Sequence, residues 1–208
     1  MHAVIVFDHP YLANAHDNQP HQRSFSAALL RATLDGLDAG GHTADVLDLQ
    51  ADRFNPVMSG AELTAWRRHA ALDPQVLDYQ RRLAAADHLV FVFPIWWESM
   101  PASTKGFLDK VMTRGFAYEE PKPRTRFVCL LKRLDAVTML TTMSVPRVIY
   151  RLWFRQPASS IVLRGTFQKM GFPGKKLRWF SYESVGELAP QKRQALLDRT
   201  RAHFAALA

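Results

Sequence analysis

Residues 87–102 of this chain have the sequence DHLVFVFPIWWESMPA, and this stretch decides the fold. An apolar run of strand length ends at Pro94, and two adjacent tryptophans, Trp96 and Trp97, follow in the loop. Residues 101–111 then predict a helix with proline in its first turn. Ligands of open parallel sheets bind beyond the carboxyl ends of the strands. The two indoles are therefore either walls of a slot for a flat ring or ordinary core or interface aromatics.

The same alternation of strand and helix extends over the whole chain. Periodicity, caps and breakers predict strands at 2–8, 42–49, 87–93, 136–142 and 175–182. Helices are predicted at 24–37, from Ser59, at 74–86, at 101–111, at 147–170 with a break at Pro157, and at 190–207. This order predicts one α/β domain over residues 1–208, a five-stranded parallel sheet in the order 2-1-3-4-5 with helices on both faces. Residues 115–135 form an excursion that contains a small hairpin.

Composition narrows the class of protein. The 208 residues are 48% hydrophobic and 22% charged, as in ordinary globular domains. Because no apolar run reaches the roughly 20 residues of a membrane span and no basic leader precedes the first strand, we expect a cytoplasmic protein without membrane insertion. The flanks of the single cysteine, Cys129, suggest a buried, inert thiol. The net charge of +8 is scattered and no nucleic-acid-binding motif is present, which leaves an anionic small molecule or a merely solvated basic surface.

The loop after the first strand has the features of a phosphate site. It runs from His9 to Arg23, Ser24, Phe25 and Ser26, where a helix begins. Free N–H groups and the helix dipole favour an anion there, although a serine at a helix start is usually just a cap. The dinucleotide pattern G-x-G-x-x-G and the phosphate loop G-x-x-x-x-G-K-[ST] are absent from the sequence, which argues against a nicotinamide-binding Rossmann domain or a nucleotide triphosphatase.

Two further loops complete a predicted ring-binding site. Residues 94–97 offer backbone amides and indole faces, and the fourth strand ends in Thr141, Thr142, Met143 and Ser144, with hydroxyl and N–H donors. Both threonines also suit an ordinary strand. Taken jointly, a phosphate pocket, an aromatic slot and a polar strand end favour a flavin nucleotide. His16, Asp17 and His21 match no usual metal spacing, so no metal site is expected.

The motif of residues 87–97 continues through Met100-Pro101-Ala102, Lys105-Gly106 and Asp109 to residues 115–118. Over nearly its whole length the chain resembles the flavodoxin-like NAD(P)H:quinone oxidoreductases, the family of DT-diaphorase and bacterial NAD(P)H oxidoreductases. The resemblance implies roles in flavin binding for a set of loop residues. His9, Ser24, Phe25 and Ser26 surround the phosphates and ribityl chain; Pro94, Ile95, Trp96 and Trp97 line the isoalloxazine; Thr141 and Thr142 lie below its pyrimidine edge.

The chain departs from the family pattern at four positions. Ser26 replaces an asparagine of family members, and Met143-Ser144 replaces two glycines that follow the threonines in DT-diaphorase. Gln156 lies six residues after Tyr150, where that enzyme has a histidine after its active-site tyrosine. The match nevertheless implies Tyr150 as the catalytic residue, which stabilises charge on the reduced ring together with the backbone of 142–144; the alternative for a tyrosine on this helix is ordinary packing.

The implied activity is two-electron, ping-pong reduction of a quinone or related electrophile by NAD(P)H, with FAD as cofactor and FMN as the alternative. The resemblance also implies a homodimer with contacts from Trp153, Phe154 and the Tyr118 region. Two other functions remain open: a flavin-binding regulatory subunit of a potassium-efflux antiporter, as some relatives are, and a one-electron flavodoxin-type carrier. The basic charge disfavours the carrier, because flavodoxins are typically acidic.

Overall fold

A parallel five-stranded sheet forms the centre of the molecule. The computed structural model describes residues 1–17, 23–122 and 125–207. The strand order is β2-β1-β3-β6-β7, and every neighbouring pair is parallel, which confirms the predicted order 2-1-3-4-5. The sheet strands are β1 (His2–Phe7), β2 (Thr43–Asp48), β3 (His88–Pro94), β6 (Ala136–Met143) and β7 (Leu177–Glu183).

Helices cover both faces, so the central strands are apolar on both sides. Alternate residues of β1 enter different cores: Ala3 and Ile5 pack on one face, and Val4 and Val6 on the other. The α-helices are α1 (Phe25–Ala39), α2 (Gly60–Trp66), α3 (Pro74–Ala84), α4 (Ala102–Val111), α5 (Arg147–Leu152), α6 (Pro157–Ser159) and α7 (Pro190–Ala205). Helices α1 and α7 pack side by side on one face of the sheet. Helices α3 and α4 and residues 158–167 pack against the opposite face. Among the described residues, no helix is both long and apolar enough to cross a bilayer.

Local signals set the ends of several helices. The Ser24 hydroxyl accepts the N–H of Ala27, so it caps α1 as predicted. Ser59 and Glu62 form a complete capping box at the start of α2. These contacts confirm the two predicted caps. Such caps can be predicted from the sequence because they involve only residues that are close together in the chain.

The excursion at 115–135 contains the predicted hairpin, an antiparallel pair of β4 (Tyr118–Glu119) and β5 (Val128–Cys129). The prediction of a buried Cys129 was wrong, since the residue is only partly buried. The physical reason is that β5 has two residues and belongs to this small separate sheet, not to the central one.

The helical region 147–170 breaks at Pro157, as predicted. Arg155 and Gln156 adopt left-handed φ values of 62° and 55°, and Pro157 then begins α6. Residues 160–168 continue as a π-helix, which nothing in the sequence pattern indicated.

Candidate functional site

Three loops meet at the carboxyl edge of the sheet. The Ile95 N–H donates to the Thr142 carbonyl over 2.8 Å, which joins the loop after β3 to the end of β6. The hydroxyls of Ser26 and Thr142 lie 3.1 Å apart, which joins the start of α1 to the same strand end. The structure thus brings together the loops after β1, β3 and β6, the geometry that the strand order required.

The tryptophan pair lies on a tight turn. Trp96 and Ser99 exchange two backbone hydrogen bonds of 2.9 and 3.0 Å. Between them, Trp97 and Glu98 have φ values of 47° and 61°, so both central residues are left-handed, as in a type I′ turn. The central positions of such a turn are usually asparagine or glycine. Other residues with this left-handed backbone conformation are strained.

The exposure of the two indoles excludes one of the predicted placements, the core. Trp97 is 100% exposed and Trp96 is 46% exposed, so neither is a core residue of this chain. Burial of a tryptophan contributes substantially to stability, and full exposure forgoes that contribution. The prediction that these indoles contact a ring or a second subunit is consistent with this exposure.

Tyr150 is hydrogen-bonded to the tryptophan turn. Its side chain is fully buried, and its hydroxyl donates to the Glu98 carbonyl over 2.8 Å and accepts the Ala158 N–H over 3.1 Å. Burial raises the pKa of Tyr150 to about 12. The hydroxyl predicted to act in catalysis is thus engaged with two backbone groups, and its catalytic role stays a prediction. The nearby carboxylate oxygen Oε2 of Glu98 is buried and has no hydrogen-bond partner among the described residues.

The two threonines at the end of β6 point in different directions. Thr141 is fully buried, and its hydroxyl accepts the indole N–H of Trp179 over 2.9 Å. Thr142 is partly exposed and contacts Ser26. Because side chains alternate along a strand, only one member of an adjacent pair can face the same side. Of the two hydroxyls, the structure brings that of Thr142 to the three-loop junction.

The predicted phosphate loop has its hydroxyls already hydrogen-bonded. Ser24 caps α1 and Ser26 contacts β6, and both residues are buried, whereas Arg23 is exposed. His9 Nδ1 accepts the Tyr11 N–H over 3.1 Å, so in the neutral ring the other nitrogen, Nε2, carries the proton. Burial lowers the pKa of His9, although the carboxylates of Asp8 and Asp48 oppose that effect.

Asp8 is a buried acidic residue near this edge that the sequence analysis did not single out. It is buried at the end of β1, where its carboxylate accepts the N–H and the hydroxyl of Thr104, both over 2.8 Å, and the side-chain amide of Gln50 over 2.9 Å. This anion lies at the start of α4, where the helix dipole favours it. It ties the first loop to the helix that follows the tryptophan turn.

Three adjacent clefts run along this edge. The first, of about 400 Å³, includes Arg23, Ser24 and Phe25 at the start of α1. The second, of about 250 Å³, shares Val185 and Gly186 with the first. The third, of about 370 Å³, shares four residues with the second and ends at Trp97 and Glu98; the shared residues are Ile95, Trp96, Met143 and Ser144.

The loop after β7 was also missed, although its position follows from the same rule as the others. Residues 184–187 line the second cleft beside Pro94 and Thr142. Since β7 is the fifth parallel strand, its carboxyl end lies at the same edge as those of β1, β3 and β6. The sequence prediction stopped at three loops because Ser184, Val185, Gly186 and Glu187 form no recognised motif.

The order of the clefts fits a long ligand with a charged end and a flat end. The α1 terminus offers a helix dipole and a guanidinium for a phosphate. The other end offers indoles and the buried Glu98 carboxylate oxygen, which has no hydrogen-bond partner in the described ranges. His21, which belongs to the long first loop, lies outside the described residues; within the described ranges no three His, Cys, Asp or Glu side chains are grouped to hold a metal ion.

A family model described as flavodoxin-like fold matches residues 1–206. The chain belongs to this family. The flavodoxin-like match covers every strand of the sheet and all of the edge just described. It therefore agrees with the resemblance seen in the sequence.

Individual relatives of this flavodoxin-like chain are oxidoreductases by name. An NAD(P)H oxidoreductase of Haemophilus influenzae is 26% identical over 207 residues, which is 95% of this chain and 96% of that protein. The ribosyldihydronicotinamide dehydrogenase [quinone] of Pongo abelii is 31% identical over 48% of this chain and 50% of its own length. The chain spans about half the length of the first curated relatives that it matches.

Solved structures share the same fold. An NAD(P)H:quinone oxidoreductase from Methanothermobacter marburgensis superimposes with a TM-score of 0.82 at 24% identity, over 100% of this chain and 99% of the other. An FMN-dependent NADH-azoreductase from Bacillus anthracis, in complex with FMN, gives a TM-score of 0.75 at 16% identity, over 99% and 98% of the two chains. At these identities the likeness establishes the fold.

Proposed function

We propose that this protein is a flavin-dependent NAD(P)H oxidoreductase that reduces quinones or related electrophiles. The observation that carries the proposal is the continuous row of clefts from the start of α1 to the exposed turn at Trp97. The names of the relatives support the same reaction class. A bound flavin would supply hydride transfer in two half-reactions, first from NAD(P)H and then to the acceptor.

The chain's own residues would bind and orient the cofactor. Arg23 and the start of α1 hold the phosphate, and the backbone of residues 142–144 faces the ring edge. Trp96 and Trp97 provide the flat surface for the ring and its substrates. We assign Tyr150 a positioning role, because its hydroxyl holds the Glu98 carbonyl at 2.8 Å.

The identity of the flavin is open to direct test. The sequence prediction names FAD first, and the azoreductase neighbour is in complex with FMN. Heat release of the flavin from purified protein, followed by chromatography, distinguishes the two. Cytoplasmic location likewise stays a prediction from the sequence.

We also propose that a second copy of the chain covers the open side of the third cleft. An apolar surface follows the end of β6, where Leu152 and Trp153 are 67% and 79% exposed. Exposed patches of this kind mark interaction sites in soluble proteins. Trp153, Phe154 and Tyr118 are the predicted contacts, and Trp153→Arg would convert a dimer to a monomer in analytical ultracentrifugation. A monomeric parent protein at micromolar concentration would contradict this proposal.

The reductase proposal is tested with menadione as acceptor. Purified protein should bind one flavin per chain and oxidise NADPH or NADH steadily, and Trp96→Ala should lower both flavin content and turnover. Trp66→Ala is the matched control, because Trp66 lines a separate cavity at α2. Flavin binding with negligible turnover would contradict the enzyme and favour the regulatory subunit. Unchanged flavin content in Trp96→Ala would remove that residue from the site.

A further inference from the structure

The row of clefts at the sheet edge differs in charge from one end to the other. The first cleft is lined by Arg23, Arg193 and His16, and no Asp or Glu is among its described lining residues. The second and third clefts are lined by Glu187 and Glu98 respectively, and no Lys or Arg is among the described residues around them. In a chain with a net charge of +8, this is a local reversal of charge. The phosphate end therefore attracts anions, whereas the ring end attracts cations.

Glu98 brings an unsatisfied carboxylate to the third cleft. Its Oε2 atom is buried and has no hydrogen-bond partner within the described ranges. Tyr150 donates to the backbone carbonyl of Glu98 over 2.8 Å, which holds the residue in place without using the carboxylate. Arg147, two residues beyond Val145 of the cleft wall, has its guanidinium over the Trp179 ring instead, 5.5 Å from the centre. Because a buried carboxylate oxygen normally has a partner, one is expected from a group that enters the cleft.

Two indoles line the same cleft. Trp96 and Trp97 are both exposed, so their ring faces are open to a ligand. Tryptophan faces attract cations more strongly than those of other aromatic residues. A carboxylate accepts hydrogen bonds and cannot donate them. The oxygens of an oxidised quinone are also acceptors only, so they do not match Glu98, whereas a flat ring with positive charge matches both the carboxylate and the indoles.

We propose that the third cleft selects flat aromatic cations as electron acceptors and that Glu98 sets this preference. The proposal rests on the proposed reductase function, because it names the class of acceptor. With a cationic dye such as methylene blue, the net reaction breaks one C–H bond of the nicotinamide ring, and the hydrogen and both electrons form an N–H bond on the dye. NAD(P)H becomes NAD(P)+, and the dye becomes neutral without a further proton. Loss of the positive charge removes the attraction to Glu98, which favours release of the product.

Binding is tested by calorimetry on purified protein saturated with FMN, in the absence of NAD(P)H. The probes are N-methylacridinium, a flat cation, and acridine, which is uncharged at slightly alkaline pH. The parent should bind the cation about tenfold more tightly than acridine. Glu98→Gln should weaken binding of the cation about fivefold and that of acridine less than about twofold. Asp38→Asn is the matched control, because it changes the net charge equally and Asp38 is exposed and lines none of the three clefts.

Turnover then tests whether the bound cation is an acceptor. Methylene blue is a cation and 2,6-dichlorophenolindophenol is an anion. In Glu98→Gln the KM for methylene blue should rise about fivefold, whereas that for the anionic dye should fall. The oxidised nicotinamide ring is also a flat cation, so inhibition by NADP+ is measured in the same variants. A change confined to inhibition by NADP+ would overturn the assignment to the acceptor.

Three other results would also overturn the proposal. They are equal affinity of the parent for N-methylacridinium and acridine, equal effects of Glu98→Gln and Asp38→Asn, and loss of FMN from Glu98→Gln, which would place the carboxylate on the cofactor. Protein that reduces menadione but shows no preference for cations would overturn this inference alone. Protein that retains no flavin and reduces no acceptor would overturn the reductase function, and this inference with it.

Discussion

Replacement of Tyr150 by phenylalanine tests how the tryptophan turn is held. The ring is fully buried and would keep its packing, including the contact with Trp179 at 5.9 Å. The variant loses two hydrogen bonds and leaves the buried N–H of Ala158 without its partner. At about 1 kcal/mol per bond, the free energy of unfolding should fall by about 2 kcal/mol. For a chain of this length the melting temperature should fall by about 4–8 °C.

The same substitution should loosen the turn itself. Left-handed backbone at Trp97 and Glu98 costs roughly 1–2 kcal/mol per residue, and the bond from Tyr150 offsets part of that cost. Loss of about 1 kcal/mol at the turn corresponds to about fivefold weaker flavin binding, measured by fluorescence titration. Hydrogen exchange of the peptide that contains Ser99 should accelerate by a similar factor, and this readout needs no flavin.

Tyr182→Phe is the matched control. Tyr182 is also buried and its hydroxyl lies 2.6 Å from that of Thr200, so the loss of this one hydrogen bond should lower the free energy of unfolding by about 1 kcal/mol. It makes no contact with the turn in the described hydrogen bonds, so flavin affinity and Ser99 exchange should not change. The reasoning is refuted if both variants weaken flavin equally, or if Tyr150→Phe leaves Ser99 exchange at the parent rate.

Three further predictions concern separate parts of the fold. Ser26→Ala, which removes the hydroxyl contact between α1 and β6, should weaken flavin binding about threefold to tenfold in the same titration, and an unchanged affinity would exclude this contact from the site. The Lys110 ammonium lies 2.8 Å from the Glu62 carboxylate, and its hydrogen bond is the main cause that lowers the pKa of Glu62 to about 2. The stability that this ion pair contributes is present above pH 4.5 and is lost as the pH falls toward 2. The free energy of unfolding of Lys110→Met, measured by urea titration, should therefore depend less on pH in this range. Gly106→Ala would place a Cβ 2.4 Å from the backbone of the loop before α2 and should lower the free energy of unfolding by about 3 kcal/mol or more. The control Gly60→Ala places its Cβ in open space and should not lower the free energy of unfolding. Equal melting temperatures for the two variants would contradict the close approach at Gly106.

The sequence was sufficient for features that depend on neighbours in the chain. Apolar runs located the five strands, and caps such as Ser24 and Ser59 located helix starts, because each depends on a few consecutive residues. The strand order followed from the alternation of strands and helices, which permits few topologies. The convergence of the loops at one edge followed from that order.

The sequence was not sufficient where a side chain's partner is distant. Thr141 and Thr142 are equivalent as letters, and only the strand's orientation in the sheet sends one hydroxyl to Trp179 and the other to Ser26. Tyr150 is 52 residues from the carbonyl that it holds. The Asp8 carboxylate similarly accepts a hydrogen bond from the backbone N–H of Thr104, a contact between distant residues that no local sequence pattern predicts.

The turn at Trp97 and Glu98 shows why the site could be located but not described from the sequence. Without glycine or asparagine, no local signal predicts two consecutive left-handed residues. The conformation persists because contacts from three elements hold it: Ile95 to Thr142, Trp96 to Ser99, and Tyr150 to Glu98. A strained turn that presents a fully exposed indole lowers the stability of the isolated chain. Such an arrangement is typical of a binding site. We therefore expect the protein to become more stable when a ligand or a second subunit binds to this turn.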